Sequence, residues 1–204
     1  ARHPQCLFLK GRALPYGAQP YALFSSLLQD YLGRQGEDKR AVLERKLDEL
    51  ESPLPQEKRR ALQEARPILG YLLGIKYEDP RLQYLDPQGL QQEIQLALRD
   101  FLGVIIGPPA AAPVILLEDL HWADAASVRL LHFLRENLET PVPLLILATY
   151  REYYLTEGEE MVLERLDRSA CEALAQAISQ GKELADSALR LGVERADGNP
   201  LFLE

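Results

Sequence analysis

The sequence predicts an α/β fold built on a parallel sheet, and three neighbouring segments support that prediction. Residues 114–117 are an all-apolar run typical of a strand that is buried on both faces of a parallel sheet, and residues 143–149 are a second all-apolar strand. Residues 125–138 lie between them and have the apolar spacing of a helix, with Asp124 as its natural N-cap. A strand, a helix and a strand in this order indicate a βαβ unit with a right-handed crossover.

A third strand is predicted near the start of the chain, at residues 6–10, between Pro4 and Gly11. Most of the chain between this strand and residue 106 has helical spacing, although the segment YEDPRLQYLDPQG is predicted to be a loop. The predicted helices of this region are 22–34, 38–50 with Asp38 as N-cap, 55–73 with a kink or break near Pro67, and 87–106.

The C-terminal part of the sequence is predicted to be mainly helical. A short strand is predicted at residues 161–166, followed by helices at 169–179 and 182–196. Gly198 stands where a helix C-terminal glycine belongs.

Composition and charge disfavour several functional classes. The formal net charge is -8, without the Lys and Arg clusters that neutralise nucleic-acid phosphates, so we expect no nucleic acid partner for this chain. The longest uncharged run, residues 101–117, is too short and too rich in proline to cross a membrane. Cys6 and Cys171 are far apart and predict free thiols in a reducing compartment, so we expect a cytoplasmic location.

Two adjacent acids, Glu118 and Asp119, directly follow the apolar run 114–117. Ligands of parallel α/β sheets bind beyond the carboxyl ends of the strands, where these acids are expected. One carboxylate there can hold a phosphate-bound Mg2+, and the other can polarise an attacking water. The alternative is structural, because acids at strand ends commonly cap helices or face solvent.

Two further groups of polar residues follow predicted elements. Thr149 and Arg151 lie at the end of the second apolar strand. Their hydroxyl and guanidinium groups suit binding of a γ-phosphate. The alternative is that Arg151 forms an ion pair with one of the acids. Gly198, Asn199 and Pro200 permit an unusual backbone turn, and the alternative is a plain joint between helices.

Taken together, VILLEDLHWAD, LLILATYRE and ADGNPLFLE resemble the ATPase modules of STAND-type signalling proteins, an AAA+-related branch of the P-loop NTPases. The resemblance extends to GRALPYGAQPYALFSSLL and RLQYLDPQGLQQEIQLALRDFL, and so covers nearly the whole chain. It is strongest to the bacterial subgroup fused to class III nucleotide cyclases, LuxR-type regulators or TPR arrays.

The resemblance implies specific roles for the residues that match its motifs. Glu118 is the Walker B acid nearest Mg2+ and Asp119 its partner at the water-activating position, although many Walker B strands carry Asp first. Thr149 and Arg151 match the strand end that senses the γ-phosphate, and 198–200 match the motif beside the adenine. The implied ligands are ATP or ADP with Mg2+, and the implied partners are fused output or repeat domains and self-association.

One motif of the family is absent from these 204 residues, namely the phosphate loop GxxxxGK[ST]. The Gly181–Lys182 pair is followed by Glu183 and is not such a loop. The family places the P-loop strand centrally, so the strand at 143–149 is expected to have an open apolar edge and the chain alone to be poorly stable. Because the phosphate loop is missing, we expect this chain alone to bind ATP weakly and not to hydrolyse it.

The sequence therefore predicts a P-loop NTPase-like parallel sheet with flanking helices and a helical insertion, without the P-loop strand. Its predicted function is an ATP-binding regulatory switch within a larger bacterial signalling protein, with slow hydrolysis. The alternative is a degenerate module that serves as a protein-interaction scaffold without nucleotide chemistry. The predicted parts are 1–168, a partial core with its insertion at about 22–106, and 169–204, a C-terminal helical part ending in the GNP motif.

Overall fold

The computed structural model describes residues 6–15, 19–33, 38–107, 113–151, 158–179 and 186–203. The predicted helix end at residue 34 and helix start at residue 182 lie outside these ranges. The chain forms two compact units, Ala1–Tyr154 and Leu155–Glu204, which are described separately below. The division at residue 168 remains a prediction.

The first unit contains a parallel sheet of three strands in the order β1-β2-β3, which confirms the predicted fold class. The strands are β1 (Phe8–Arg12), β2 (Val114–Glu118) and β3 (Leu145–Ala148). β1 begins and ends later than predicted, because Gly11 continues the strand instead of ending it. A Cβ on Gly11 would lie 2.9 Å from the Leu23 carbonyl oxygen, so the strand packs here against the helix that follows.

Helices of the first unit follow the predicted pattern closely. They are α1 (Ala22–Leu32), α2 (Lys39–Glu51), α3 (Gln56–Leu72), α4 (Pro80–Tyr84), α5 (Pro87–Ile105) and α6 (Ala125–Asn137). Asp38 caps α2 as predicted, and α3 continues through Pro67 as one helix.

The short helix α4 lies in the segment predicted as a loop, and its local sequence explains why it forms. Pro80 occupies the first turn, where its missing N–H is not needed, and the Asp79 side chain accepts a hydrogen bond from Arg81 N. The loop predicted for this segment was therefore wrong at Pro80–Tyr84.

The core of the first unit has two main parts, one where α1 covers the sheet and one between helices of the insertion. α1 packs on β1, and α3 packs along α5. The side chains at these contacts are almost completely buried, and they include Leu27, Leu62, Leu69, Ile94, Leu98 and Phe101. At about 25 cal/mol per Å² of apolar surface, such contacts supply the main stabilisation of this unit.

The two edges of the sheet differ in how their backbone and side chains are covered. At the β1 edge, Asp30 Oδ2 accepts from Lys10 N at 3.0 Å and Ser26 Oγ accepts from Arg12 N at 3.2 Å. Side chains of α1 thus satisfy the edge donors that would otherwise invite another strand.

β3 forms the opposite edge, and no strand of the described residues pairs with its outer side. Its side chains Leu145, Ile146 and Leu147 are 52%, 37% and 47% exposed. The sequence predicted an open apolar edge at this strand, and the exposure confirms it. Burial on both faces, predicted for residues 114–117, holds fully for one face of β2 only.

The second unit consists of α7 (Arg168–Ile178), α8 (Asp186–Ala196) and a 3-10 turn at Pro200–Leu203. The strand predicted at 161–166 is wrong. Met161, Val162 and Leu163 are 84%, 73% and 87% exposed, and within the described ranges this segment joins no sheet. An apolar run becomes a strand only where a neighbouring strand supplies hydrogen-bond partners.

Candidate functional site

The site begins where β2 ends, because the backbone turns sharply after Glu118. Asp119 adopts a left-handed conformation, with φ 58°. This conformation is uncommon for a residue with a side chain and is more readily tolerated by Asp and Asn than by most others. A 3-10 turn at Leu120–Trp122 follows and leads to α6.

Thr149 fixes this turn through three hydrogen bonds to the end of β2. Its backbone N donates to Leu117 O at 2.9 Å, and its carbonyl accepts from Leu120 N at 2.9 Å. Its hydroxyl oxygen accepts from Asp119 N at 3.1 Å. The structure therefore places Thr149 beside the acids, at the carboxyl edge of the sheet.

Both acids form ion pairs with cations of the neighbouring strand. Lys10 Nζ lies 2.9 Å from Glu118 Oε1, and Arg12 Nε lies 3.2 Å from Asp119 Oδ2. Arg12 Nε also lies 4.0 Å from Glu118 Oε2. Sequence analysis missed these two cations, although their alternation on β1 was the available signal, since alternate strand residues share one face.

Arg151 contacts an aromatic ring, which is neither the γ-phosphate role nor the ion pair with an acid that the sequence suggested. Its guanidinium lies 5.4 Å from the centre of the Trp122 ring, within the range of a cation–π interaction. An ion pair of Arg151 with Glu118 or Asp119 is not among the ion pairs of the described residues, where both acids pair with β1. Arg151 is exposed, so its guanidinium is accessible to a ligand.

The aromatic pair His121 and Trp122 shapes the loop after β2. Their ring centroids are 4.5 Å apart and their planes are tilted by 50°. Both ring nitrogens of His121 are buried and have no hydrogen-bond partner among the described residues. The two rings contact each other, and the Trp122 ring contacts Arg151. The backbone N of Trp122 donates to Asp119 O at 2.9 Å, whereas no side-chain hydrogen bond of the described part joins either ring to a carboxylate.

Asp124 links this loop to two helices. As predicted, it caps α6, accepting from Ser127 N at 2.9 Å and from Ser127 Oγ at 2.6 Å. It also accepts from Tyr21 N at 3.0 Å and from Ala22 N at 3.2 Å, at the start of α1. Burial alone would raise the pKa of Asp124, but the bonds from Ser127, Tyr21 and Ala22 outweigh it, so this pKa is below the ordinary value.

The GNP motif belongs to the second unit, where it forms a tight turn after α8. Asp197 and Gly198 both have positive φ, of 46° and 75°. Gly198 O accepts from Leu166 N at 2.8 Å, and Asn199 Oδ1 accepts from Leu201 N at 3.1 Å. These contacts account for Gly198 and Asn199 as parts of the turn; their role towards adenine remains a prediction.

Gly198→Ala is expected to destabilise the second unit by about 1–3 kcal/mol. An added Cβ would lie 2.6 Å from Leu166 O and 2.8 Å from Arg165 Cβ, and the residue would have to keep a positive φ. The matched control is Gly192→Ala in α8, where a Cβ meets nothing within 4 Å and the helix gains stability. Urea unfolding followed by circular dichroism should show opposite shifts; equal shifts would contradict the turn geometry.

A cleft between α3, α5 and α6 lies apart from the acids. Lys58, Arg99, Asp100 and Glu136 are among the residues that line it. It sits at the ends of α5 and α6, which lead into the amino ends of β2 and β3. The nucleotide site expected at the carboxyl edge is therefore a different place.

The acid pair fits a magnesium ion that arrives with a phosphate, because Mg2+ takes one or two carboxylates together with phosphate oxygens and water. Glu118 and Asp119 supply the carboxylates, with the Thr149 hydroxyl beside them. No group of three or more His, Cys, Asp or Glu that could hold a metal by itself occurs in the described part of the chain. Nor does any helix there have the length and apolar character needed to span a bilayer.

A parallel sheet with flanking helices and acids at the carboxyl end of a strand defines a P-loop NTPase-like α/β protein. Residues 1–147 match the family model of the AAA ATPase domain, and the chain belongs to that family. Comparisons with curated proteins and with solved structures find no match. The matched residues include Lys10, Arg12, Glu118 and Asp119, whereas Thr149, Arg151 and the GNP motif follow them.

Proposed function

We propose that this chain is the ATP-binding part of a regulatory switch in a larger bacterial signalling protein of the STAND type. The observation that carries the proposal is the acid pair at the carboxyl end of β2, fixed by the hydrogen bonds of Thr149. Membership of the AAA ATPase domain family supports ATP as the nucleotide. A cytoplasmic location, fused output or repeat domains and self-association are parts of the same proposal.

In this proposal each residue has a separate task at the γ-phosphate. Glu118 holds Mg2+, which neutralises charge on the phosphate oxygens. Asp119 orients and polarises the attacking water, and the Thr149 hydroxyl and the Arg151 guanidinium bind the γ-phosphate. Gly198, Asn199 and Pro200 lie beside the adenine.

The phosphate loop has to come from a further strand, and β3 has room for it. Within the described residues no strand pairs with the outer side of β3, and its apolar side chains are exposed, whereas the β1 edge is closed by Asp30 and Ser26. A parallel strand next to β3 would end at the same edge of the sheet as Glu118. A loop after that strand would therefore face the acids, with its backbone amides available to the phosphates.

A second candidate function is an interaction scaffold without nucleotide chemistry. The observation that favours it is the pairing of both acids with Lys10 and Arg12, which satisfies them without any metal. The absence of GxxxxGK[ST] from these 204 residues points the same way. The two candidates differ in whether Arg151 distinguishes ATP from ADP.

Arg151→Ala should weaken ATP binding about ten- to hundredfold and leave ADP binding nearly unchanged, measured in a protein that joins this chain to a phosphate loop. A charge-assisted hydrogen bond contributes about 1.5–3 kcal/mol, and ADP lacks the group that receives it. Dissociation constants for both nucleotides, by calorimetry, provide the measurement. Arg60→Ala, which removes an exposed Arg of α3 paired with Glu64, is the control.

An equal loss for ATP and ADP, together with a lower melting temperature, would assign Arg151 to packing on Trp122 instead. The cation–π contact by itself contributes only about 0.5–1 kcal/mol at an exposed position, so it cannot produce a large ATP-specific effect. Absence of nucleotide binding by a protein that carries an intact phosphate loop would favour the scaffold.

A further inference from the structure

We propose that Lys10 and Arg12 are positioning residues, which hold Glu118 and Asp119 in place when no metal is bound, and that a divalent cation enters by exchange against them. The inference rests on the proposed function, because it assigns the metal to the same acid pair. To that site it adds two residues of β1, and it states that their ion pairs break when the cation binds.

Strand register places these four side chains together. Arg12 is the direct partner of Glu118 in the parallel ladder of β1 and β2. Lys10 lies two residues earlier and therefore on the same face as Arg12 and Glu118. The ion pair at 2.9 Å of Lys10 with Glu118 follows from this register. The left-handed turn at Asp119, just after β2, brings its carboxylate to 3.2 Å from Arg12 Nε.

The charges explain why cations occupy this place in the metal-free chain. Two neighbouring carboxylates at one sheet edge repel each other, and each has a side chain only 26% exposed, so water screens them incompletely. One ammonium and one guanidinium together neutralise both acids. A divalent cation carries the same total charge, and at the same carboxylate oxygens it would repel Lys10 and Arg12.

The exchange requires side chains to move and leaves the strand in place. The side chains of Lys10 and Arg12 are 43% and 56% exposed, so their charged ends can turn into water. Their backbone amides are held by Asp30 and Ser26 of α1. β1 thus presents two movable charges from a fixed backbone.

Mn2+ alone, added to the 204-residue chain without nucleotide, is a suitable probe, with free Mn2+ measured by electron paramagnetic resonance. We expect Lys10→Met and Arg12→Met each to tighten Mn2+ binding about two- to fivefold, and the double variant to tighten it further. Lys10→Arg keeps the charge and should bind Mn2+ like the parent chain. Arg60→Met removes an exposed cation of α3 that pairs with Glu64, and it should have no effect.

A second measurement tests the positioning role without metal. Lys10→Met should lower the melting temperature of the metal-free parent chain, and should lower it less in a Glu118→Gln background, where the partner charge is gone. An equal fall in both backgrounds would overturn the positioning role.

The two measurements also separate this inference from the proposed function. Mn2+ binding that depends on Glu118 but is not tightened in the double variant would overturn the exchange and leave the metal site intact. If Glu118→Gln leaves Mn2+ affinity unchanged in every variant, the acid pair is not a metal site. That result would overturn both the exchange and the proposed hydrolysis.

Discussion

Glu118→Gln and Asp119→Asn are each expected to slow ATP hydrolysis by about 10²–10⁴-fold while leaving ATP bound, in a protein that joins this chain to a phosphate loop. Each substitution keeps the shape of the side chain and removes one charge. Glu118→Gln removes a ligand of Mg2+, and Asp119→Asn removes the group that polarises water. The phosphate loop and the adenine contacts are unchanged, so binding should persist.

The structure adds a control to this experiment, because each acid also has an ion-pair partner. Loss of Glu118 removes the partner of Lys10, and loss of Asp119 removes the closer partner of Arg12, so either variant changes more than the reaction. Lys10→Met and Arg12→Met, assayed alongside, remove the same ion pairs without removing a carboxylate. Single-turnover hydrolysis and nucleotide affinity give the two readouts. Unchanged turnover in both variants would show that Glu118 and Asp119 have only a structural role.

Local sequence patterns predicted those parts of the fold that depend on near neighbours in the chain. The βαβ unit followed from two apolar runs and a helical spacing, and the caps Asp38 and Asp124 followed from residues adjacent to helix starts. The open edge at β3 followed from its apolar sequence and from the resemblance to a known sheet. The βαβ unit and the caps needed only local sequence pattern and chain order, whereas the open edge also needed the resemblance.

The errors arose where distant segments decide the structure. Strand formation at 161–166 requires a neighbour, and the described residues supply none. The cations Lys10 and Arg12 meet the acids only through the register of β1 with β2, which no local pattern specifies. Arg151 contacts Trp122, which also comes from a distant segment, while the acids pair with Lys10 and Arg12.

The second role of Asp124 was missed for the same reason. Tyr21, the residue before α1, has a left-handed backbone with φ 65° and offers no side-chain cap of its own. A carboxylate more than a hundred residues away takes that role by accepting from Tyr21 N and Ala22 N. Asp124, in the segment WAD after β2, thus has a structural role that does not depend on any nucleotide.

Asp124→Ala should destabilise the first unit by about 1–4 kcal/mol, because one substitution removes the cap of α6 and the acceptor for the start of α1. Loss of a single N-cap costs about 0.5–2 kcal/mol, and two helix starts are affected here. Asp38→Ala is the matched control, since Asp38 caps only α2 through Arg40 N. Urea unfolding should show a distinctly larger loss for Asp124→Ala; equal losses would mean that the bonds to α1 contribute nothing.

Acid titration of the same variants tests whether the carboxylate must be ionised. The pKa of Asp124 is lowered in the folded chain, because the hydrogen bonds to its charged form outweigh burial. A lowered folded pKa gives stability that is fully present above the unfolded pKa of about 3.9 and is lost as pH falls through the folded pKa.

Asp124→Asn keeps an acceptor but has no such charge. Its deficit in unfolding free energy against the parent chain should therefore be constant near neutral pH and shrink below about pH 3.9. A deficit that stays constant through that range would show that Asp124 acts only as a neutral acceptor, and that its two helices do not depend on its charge.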